Sequence, residues 1–266
     1  MHSLQRYRNI SGSPWLDCCS GNGYRREQAL RALNEGAPNA FLCALVLRRL
    51  NDWVLQVRAA AREYIPTMAA HTQPEYLVEA LWALLLSVHT WGRVQTEDLD
   101  VLMNLLSIAD VPSRLVSKLI QSTTGPAARI LGQVGRTPVL DPFLPILCEQ
   151  AIQPAVRAKA YRSQLEGCMV WFEGRKWVWT DRRWCQGQYV PVLGERKIRV
   201  YRPFLELLAK AAQDDSPIVQ RFAGDVLLAK LDDLGGDACP IATRLSTDAY
   251  PSVAERGVFA VKRIEG

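Results

Sequence analysis

The sequence predicts an all-α chain, a right-handed α-solenoid of short helix pairs spanning residues 1–266 and carrying one small β-hairpin insertion. Three observations predict it. A turn-plus-helix frame recurs along the chain, and its copies lie about one helix pair apart. The spacing fails at one place, where the composition turns aromatic and β-branched.

The frame is clearest from Asp52 to Ala61. An acid sits in a turn, Val57 follows five residues later, then Arg58, then a small residue three further on. Asp214 to Ala223 and Asp248 to Gly257 fit the same frame, with Val219 and Val253 in the Val slot. Weaker copies lie at Val156-Arg157 with Ala160, at Ala128-Arg129 with Gly132, and at Arg25-Arg26 with Ala29. Pro126, Pro154, Pro217 and Pro251 stand three residues after the acid slot. Proline opens a helix at no cost, because its missing N–H would be unpaired there anyway. Each copy therefore reads as a turn followed by a helix start. Downstream of Pro217, Ile218, Val219, Phe222, Ala223, Val226 and Leu227 recur at helical spacing. Upstream of each frame lies a second apolar helical stretch, such as Phe41 to Leu50 before Asp52 and Phe204 to Ala212 before Asp214. The unit is thus two antiparallel helices joined by a short turn. Helices this short cannot bury an apolar face alone, so neighbouring pairs must stack, about six or seven of them over this length.

Arg26 to Arg58 spans 32 residues, Arg58 to Arg129 71, Arg129 to Arg157 28, and Gln220 to Ala254 34. Only Arg157 to Gln220, at 63, holds a clear excess. On the Asp turn and the Val-Arg pair, the chain resembles the HEAT-repeat family, especially the short bacterial and PBS-lyase-type repeats. The resemblance covers most of the chain, with degenerate copies from about Tyr76 to Gln121. It implies a protein-binding surface, and a turn Asp and helix Arg that link adjacent repeats. Asp52 and Arg58 match those slots, while Gln220, Ala254 and Ala151 depart from them. Arg26, Arg58, Arg129 and Arg157 are assigned to the repeat stack. Asp214 and Asp248 are read as turn caps whose loss costs about 1 kcal/mol.

The excess runs from about Cys168 to Pro203 and holds Trp171, Trp177, Trp179 and Trp184, half of the chain's eight Trp. Eight basic residues, Arg175, Lys176, Arg182, Arg183, Arg196, Lys197, Arg199 and Arg202, face three acids there, Glu173, Asp181 and Glu195. The insertion carries a net +5, which is also the net charge of the whole chain, so the helices around it sum to zero. Segments 176–180, 188–192 and 197–201 read as two or three short strands punctuated by Gly187 and Gly194. Trp177 and Trp179 share a face, since side chains two apart do so on a strand. Two readings of the Trp residues follow. They either pack the hairpin onto the helices beside it or form a contact surface, because Trp and Arg are enriched in interface hot spots. Trp177, Trp179, Trp184, Arg182, Arg183 and Arg199 are the candidate contact residues for a protein partner, and their charge points to an acidic one.

Other classes find little support. No apolar run reaches the roughly 20 residues of a membrane helix, and Met1 to Arg8 has no apolar signal core. Seven Cys without framework spacing read as reduced thiols in a cytoplasmic protein. With no Cys-x-x-Cys and only His2, His71 and His89, neither metal nor other cofactor is expected. No phosphate loop, metalloprotease or nucleophile-elbow motif occurs. The expected function is therefore non-catalytic protein binding, as an adaptor or as an immunity protein that occludes a toxin's active site. The alternative is DNA binding, or a DNA-alkylation-repair glycosylase of the HEAT-like type. For it, Trp53 with Asp52, Trp91 with Arg93 and Trp179 with Asp181 offer the residue types. Its weakness is that the basic charge sits in one insertion instead of along successive helices.

Overall fold

The computed structural model describes residues 13–265. Met1 to Arg8, the stretch without an apolar signal core, lies outside them, and so does His2 within it. The chain divides into two compact units, up to Leu115 and from Val116 onward, each taken by itself. In the first, α1 (Pro14–Asp17) and α2 (Gly23–Arg31), α3 (Ala40–Leu47) and α4 (Leu55–Ala70), and α5 (Pro74–Leu85) and α6 (Thr96–Asn104) are successive helix pairs. α2, α4 and α6 pack in one layer, and α3 packs on α5 in the other. The division falls within α7 (Val111–Gln121).

The second unit continues with α8 (Ala127–Val134) and the pair α9 (Leu144–Gln150) and α10 (Pro154–Glu166). The hairpin β1 (Cys168–Asp181) and β2 (Gln186–Lys197) follows. The pair α11 (Phe204–Ala212) and α12 (Pro217–Ala229), the short α13 (Leu231–Leu234), and the pair α14 (Cys239–Ser246) and α15 (Pro251–Glu265) complete it. α8, α10, α12 and α15 form one layer, with α11 packed on α14 in the other. The fold class is an all-α array of HEAT-like helix pairs with one antiparallel β-hairpin.

The frame acquires a physical meaning at its turns. Oδ1 of Asp52, Asp214 and Asp248 each accepts the backbone N–H two residues on, from Val54 at 2.9 Å, Ser216 at 2.8 Å and Tyr250 at 2.9 Å. This Asx turn closes the loop before the helix. The carboxylate also receives a side chain from the preceding repeat. Arg26 donates Nε and Nη2 to Asp52, both at 2.8 Å, and Arg157 does the same to Asp214 at 2.7 and 2.8 Å. Gln220 replaces Arg with a neutral donor and still reaches Asp248, at 2.9 Å. The Arg slot has a second job. Nη1 of Arg26, Arg58 and Arg157 donates to the carbonyl six residues earlier, on Ser20, Asp52 and Ala151. Ala151 can lack a carboxylate because the Arg grips its backbone.

The link between adjacent repeats expected of the turn Asp and helix Arg is made at Asp52 by Arg26, joined by Arg49 at 2.9 Å, while Arg58 donates to the Asp52 carbonyl. One helical turn on, Arg62 pairs with Asp98, an acid inside the stretch read as degenerate. One assignment changes, that of Arg129, which is not in the ladder. Pro154 and Pro217 are the first residues of their helices, but Pro126 sits one position earlier, at the cap of α8. That offset rotates Arg129 by roughly 100° from the ladder position, and its side chain is exposed.

The small slot after the Arg lets the layers approach. Ala61, Ala160 and Ala223 are fully buried. At Gly257 an added Cβ would stand 2.1 Å from the Ser246 backbone nitrogen, so α14 and α15 touch where no larger residue fits.

Candidate functional site

β1 and β2 are 14 and 12 residues long, longer than the short strands expected, and pair from Cys168↔Lys197 to Asp181↔Gln186. β2 ends at Lys197, so the segment 198–201 is not strand. Gly187 and Gly194, expected to break strands, lie inside β2. A Cβ on Gly187 would stand 2.5 Å from the Trp177 ring, and one on Gly194 2.4 Å from the Trp171 indole nitrogen. Each glycine leaves the space in which a ring from the opposite strand lies.

The base of the hairpin is clamped to the second unit. Arg196 donates to the Gly135 and Thr137 carbonyls, both at 2.6 Å, and holds Asp141 bidentately at 2.6 and 2.8 Å. It repeats, from a strand, the carbonyl-plus-acid grip of the helix arginines. Gln133 donates to the Phe172 carbonyl at 2.5 Å, Lys159 to the Val170 carbonyl, and Met169 is buried. Trp171 belongs to this clamp. Its ring lies 5.4 Å from the Arg136 guanidinium, and its indole donates to Glu173 at 2.9 Å.

The distal half is different. Trp177, Trp179 and Tyr189 form a cluster in which Trp177 meets Trp179 at 5.5 Å and Tyr189 at 5.0 Å between ring centroids, both edge-to-face. All three stay accessible, at 43%, 48% and 65% exposure, so they do not pack the hairpin onto helices. Asp181 Oδ1 accepts the N–H groups of Arg183 at 2.8 Å and Trp184 at 3.2 Å. It thereby fixes a turn that presents Arg182, Arg183 and Trp184, the last 76% exposed.

Five of the six candidate residues, Trp177, Trp179, Arg182, Arg183 and Trp184, therefore gather at the tip. Arg199 does not. It follows β2 at the opposite end, with its guanidinium 5.6 Å from the Tyr201 ring. Of the eight basic residues, Arg196 is spent on Asp141 and Arg202 on Glu149. Arg175, Lys176, Arg182, Arg183, Lys197 and Arg199 are exposed and make no ion pair among the described residues. Tyr189, Arg175 and Lys176 were missed as site residues. The register Trp177↔Tyr189 brings Tyr189 in, and sequence shows that register only once the turn is located.

The base of the hairpin also walls a groove of about 760 Å³. Its floor is α8, α10 and α12, and its lining includes Trp171, Phe172, Leu193, Ile218 and Phe222. Burial lowers the Lys159 ammonium in this groove below its usual value, and the neighbouring Arg162 adds to the effect. No apolar helix long enough to cross a membrane occurs among the described residues.

The acids invoked for base-excision chemistry are engaged elsewhere. Burial alone would raise the Asp52 carboxyl. Hydrogen bonds from Arg26 and the Val54 N–H, with the charges of Arg26 and Arg49, outweigh it and hold the group below its usual range. Asp181 is the turn cap of the hairpin.

No protein-family model matches the chain, and no curated relative matches it. Among solved structures, Drosophila melanogaster Mini spindles TOG3 is similar over 97% of this chain and 95% of that one, at 14% identity and a TM-score of 0.28.

Proposed function

We propose that this chain is a HEAT-type, non-catalytic protein-binding protein whose hairpin tip grips an acidic protein partner. One observation carries the reading. A clamped base holds up a tip on which Trp177, Trp179, Tyr189 and Trp184 stay exposed beside Arg175, Lys176, Arg182 and Arg183. Aromatic and Arg side chains supply most of the energy of interfaces, and unpaired cations draw an acidic surface into encounter. A two-stranded arm tipped with Trp184 suits insertion into a cleft, the form of contact an immunity protein would make with a toxin's active site. An adaptor would use the same contact without inhibition.

The DNA reading is favoured by the same exposed rings, since bases stack on aromatics beside Arg. As a glycosylase reading it is weakened, because Asp52 and Asp181, the two acids it names, both cap turns.

The test is capture by the wild-type chain and by the double variant Trp177→Ala/Arg182→Ala, with circular dichroism confirming that both fold. Loss of one acidic partner in the variant is expected, as is loss on deleting 174–192, which leaves Met169 and Arg196 in place. Retention of every partner after that deletion removes the tip as the site. Tight, salt-sensitive binding of an oligonucleotide by the wild type would replace the protein reading. Inhibition of a captured enzyme would separate immunity from adaptor.

A further inference from the structure

We infer that the groove between the hairpin base and helices α8, α10 and α12 is a second contact site, and that it takes an acidic peptide segment anchored by a large apolar side chain. The inference rests on the protein-binding reading and names the partner chemistry at a place distinct from the tip.

The groove lies entirely within the second unit, and three helices and both strands contribute to it. Its apolar elements are accessible. Leu193 is 58% exposed and Ile218 49%, while Phe172 and Trp171 are half-buried. Phe222 sits deeper, under the Arg162 guanidinium at 4.7 Å from its ring. An apolar side chain entering between Leu193 and Ile218 would remove area from water at about 25 cal/mol per Å².

Charge selects what flanks that anchor. Four cations line the groove, Arg129, Lys159, Arg162 and Arg221, against two acids, Glu166 and Asp225. Both acids have partners already. Glu166 lies 3.6 Å from Arg162, and Asp225 lies 2.5 Å from Arg256. Lys159 makes no ion pair among the described residues, and its side chain donates to the Val170 carbonyl. Arg129 on α8 and Arg221 on α12 are exposed and make no ion pair among the described residues. The uncompensated charge is therefore positive, on both outer helices. Arg129 is available only because the start of α8 is offset from its Pro, which takes it out of the repeat ladder. The same charge argues against a second copy's hairpin as occupant, because the tip is basic too.

A random peptide display library panned on the purified full chain tests the inference. Enriched peptides should carry Asp or Glu flanking Phe, Leu or Trp. A synthetic copy of one, read by fluorescence polarisation, should bind the wild type and the tip variant Trp177→Ala/Arg182→Ala alike. It should bind Arg129→Glu/Arg221→Glu at least about tenfold more weakly, the scale of one well-placed charged contact. Both arginines are exposed, so folding should survive; Arg129→Gln/Arg221→Gln, without a new charge, should show a smaller loss. Failure to enrich any peptide, enrichment of basic or purely polar ones, or affinity unchanged in both double variants would overturn the inference. Loss of binding in the tip variant alone would assign the peptide to the tip and leave the groove without a role. Loss of full-length partner capture in the tip variant with peptide binding intact would leave each site standing by itself.

Discussion

Replacing Asp52 by Ala should destabilise the first unit far more than loss of a turn cap. The carboxylate receives four hydrogen bonds, two from Arg26, one from Arg49 and one from the Val54 N–H. The side chains of Arg26 and Asp52 are 3% and 1% exposed. Removing the acid strands a guanidinium that water cannot reach, a loss of about 3–5 kcal/mol. The matched control is Asp248, whose close partner Gln220 is neutral and whose only cation, the half-exposed Arg244, stands 3.9 Å off; these and the cap to Tyr250 are together worth about 1–2 kcal/mol. Asp214, paired bidentately with Arg157 at 14% and 7% exposure, should fall between them, above the 1 kcal/mol scale of a lost cap. Denaturant unfolding followed by circular dichroism ranks the three. Hydrogen exchange by mass spectrometry should place the Asp52→Ala effect in α2 and α4 and the other two in the second unit. The double variant Arg26→Met/Asp52→Leu should recover much of the loss, because it leaves no orphaned charge. Equal costs for Asp52→Ala and Asp248→Ala would refute the reasoning, since the ion pair would then contribute nothing beyond the turn.

Acid should act on the same pair. The folded Asp52 carboxyl lies below its unfolded value, so its stabilisation is complete above about pH 4 and is lost as pH falls through the lower folded value; the thermal midpoint of the first unit should drop over that range, and less in Asp52→Asn. Burial pushes the thiols of Cys18, Cys43 and Cys148 up to about 12, while Cys19, Cys185 and Cys239 are exposed. Since the thiolate is the nucleophile, iodoacetamide near pH 8 should label the exposed three first in the native chain, the half-buried Cys168, which burial also pushes up, more slowly, and the buried three least, as read by peptide mass mapping. Gly187→Val should displace the Trp177 ring and change the near-ultraviolet dichroism without altering helix content, because a Cβ there meets the ring at 2.5 Å.

The helix pairs were legible because their cause is local. An Asx turn needs an acid two residues before its donor, and the Arg grip needs a carbonyl six residues back, so both survive as fixed spacings. The partner of each acid was not legible. Arg26 and Asp52 are 26 residues apart, and which repeat supplies the Arg depends on how neighbouring turns stack. Arg129 shows the limit most sharply, since its place in the frame differs from that of Arg157 by one helix position. One position on a helix is about 100°, enough to move a side chain from ladder to groove. In the hairpin, glycine was read as punctuation because a missing side chain costs strand stability. At Gly187 and Gly194 a Trp from the facing strand fills the gap instead, a cross-strand relation that sequence spacing carries only when the turn is known.

The packing reading holds for Trp171 at the base of the arm, and the contact reading is proposed for the rings at its tip. A two-stranded hairpin is marginal alone, so its base needs an anchor, and Trp171 supplies part of it together with Arg196 and Met169. Above the bulge at Glu173 the strands are mostly exposed, and cross-strand contacts such as Trp177 with Tyr189 and Gly187 order them. Trp177 is therefore both brace and exposed surface, and a loss of binding in Trp177→Ala could arise from either. Trp184 has no such ambiguity. Its backbone is fixed by Asp181 while its ring is the most exposed of the tip aromatics. Trp184→Ala is therefore the cleaner test of the proposed contact: it removes an exposed ring beside Arg182 and Arg183, and partner capture should fall with the fold unchanged.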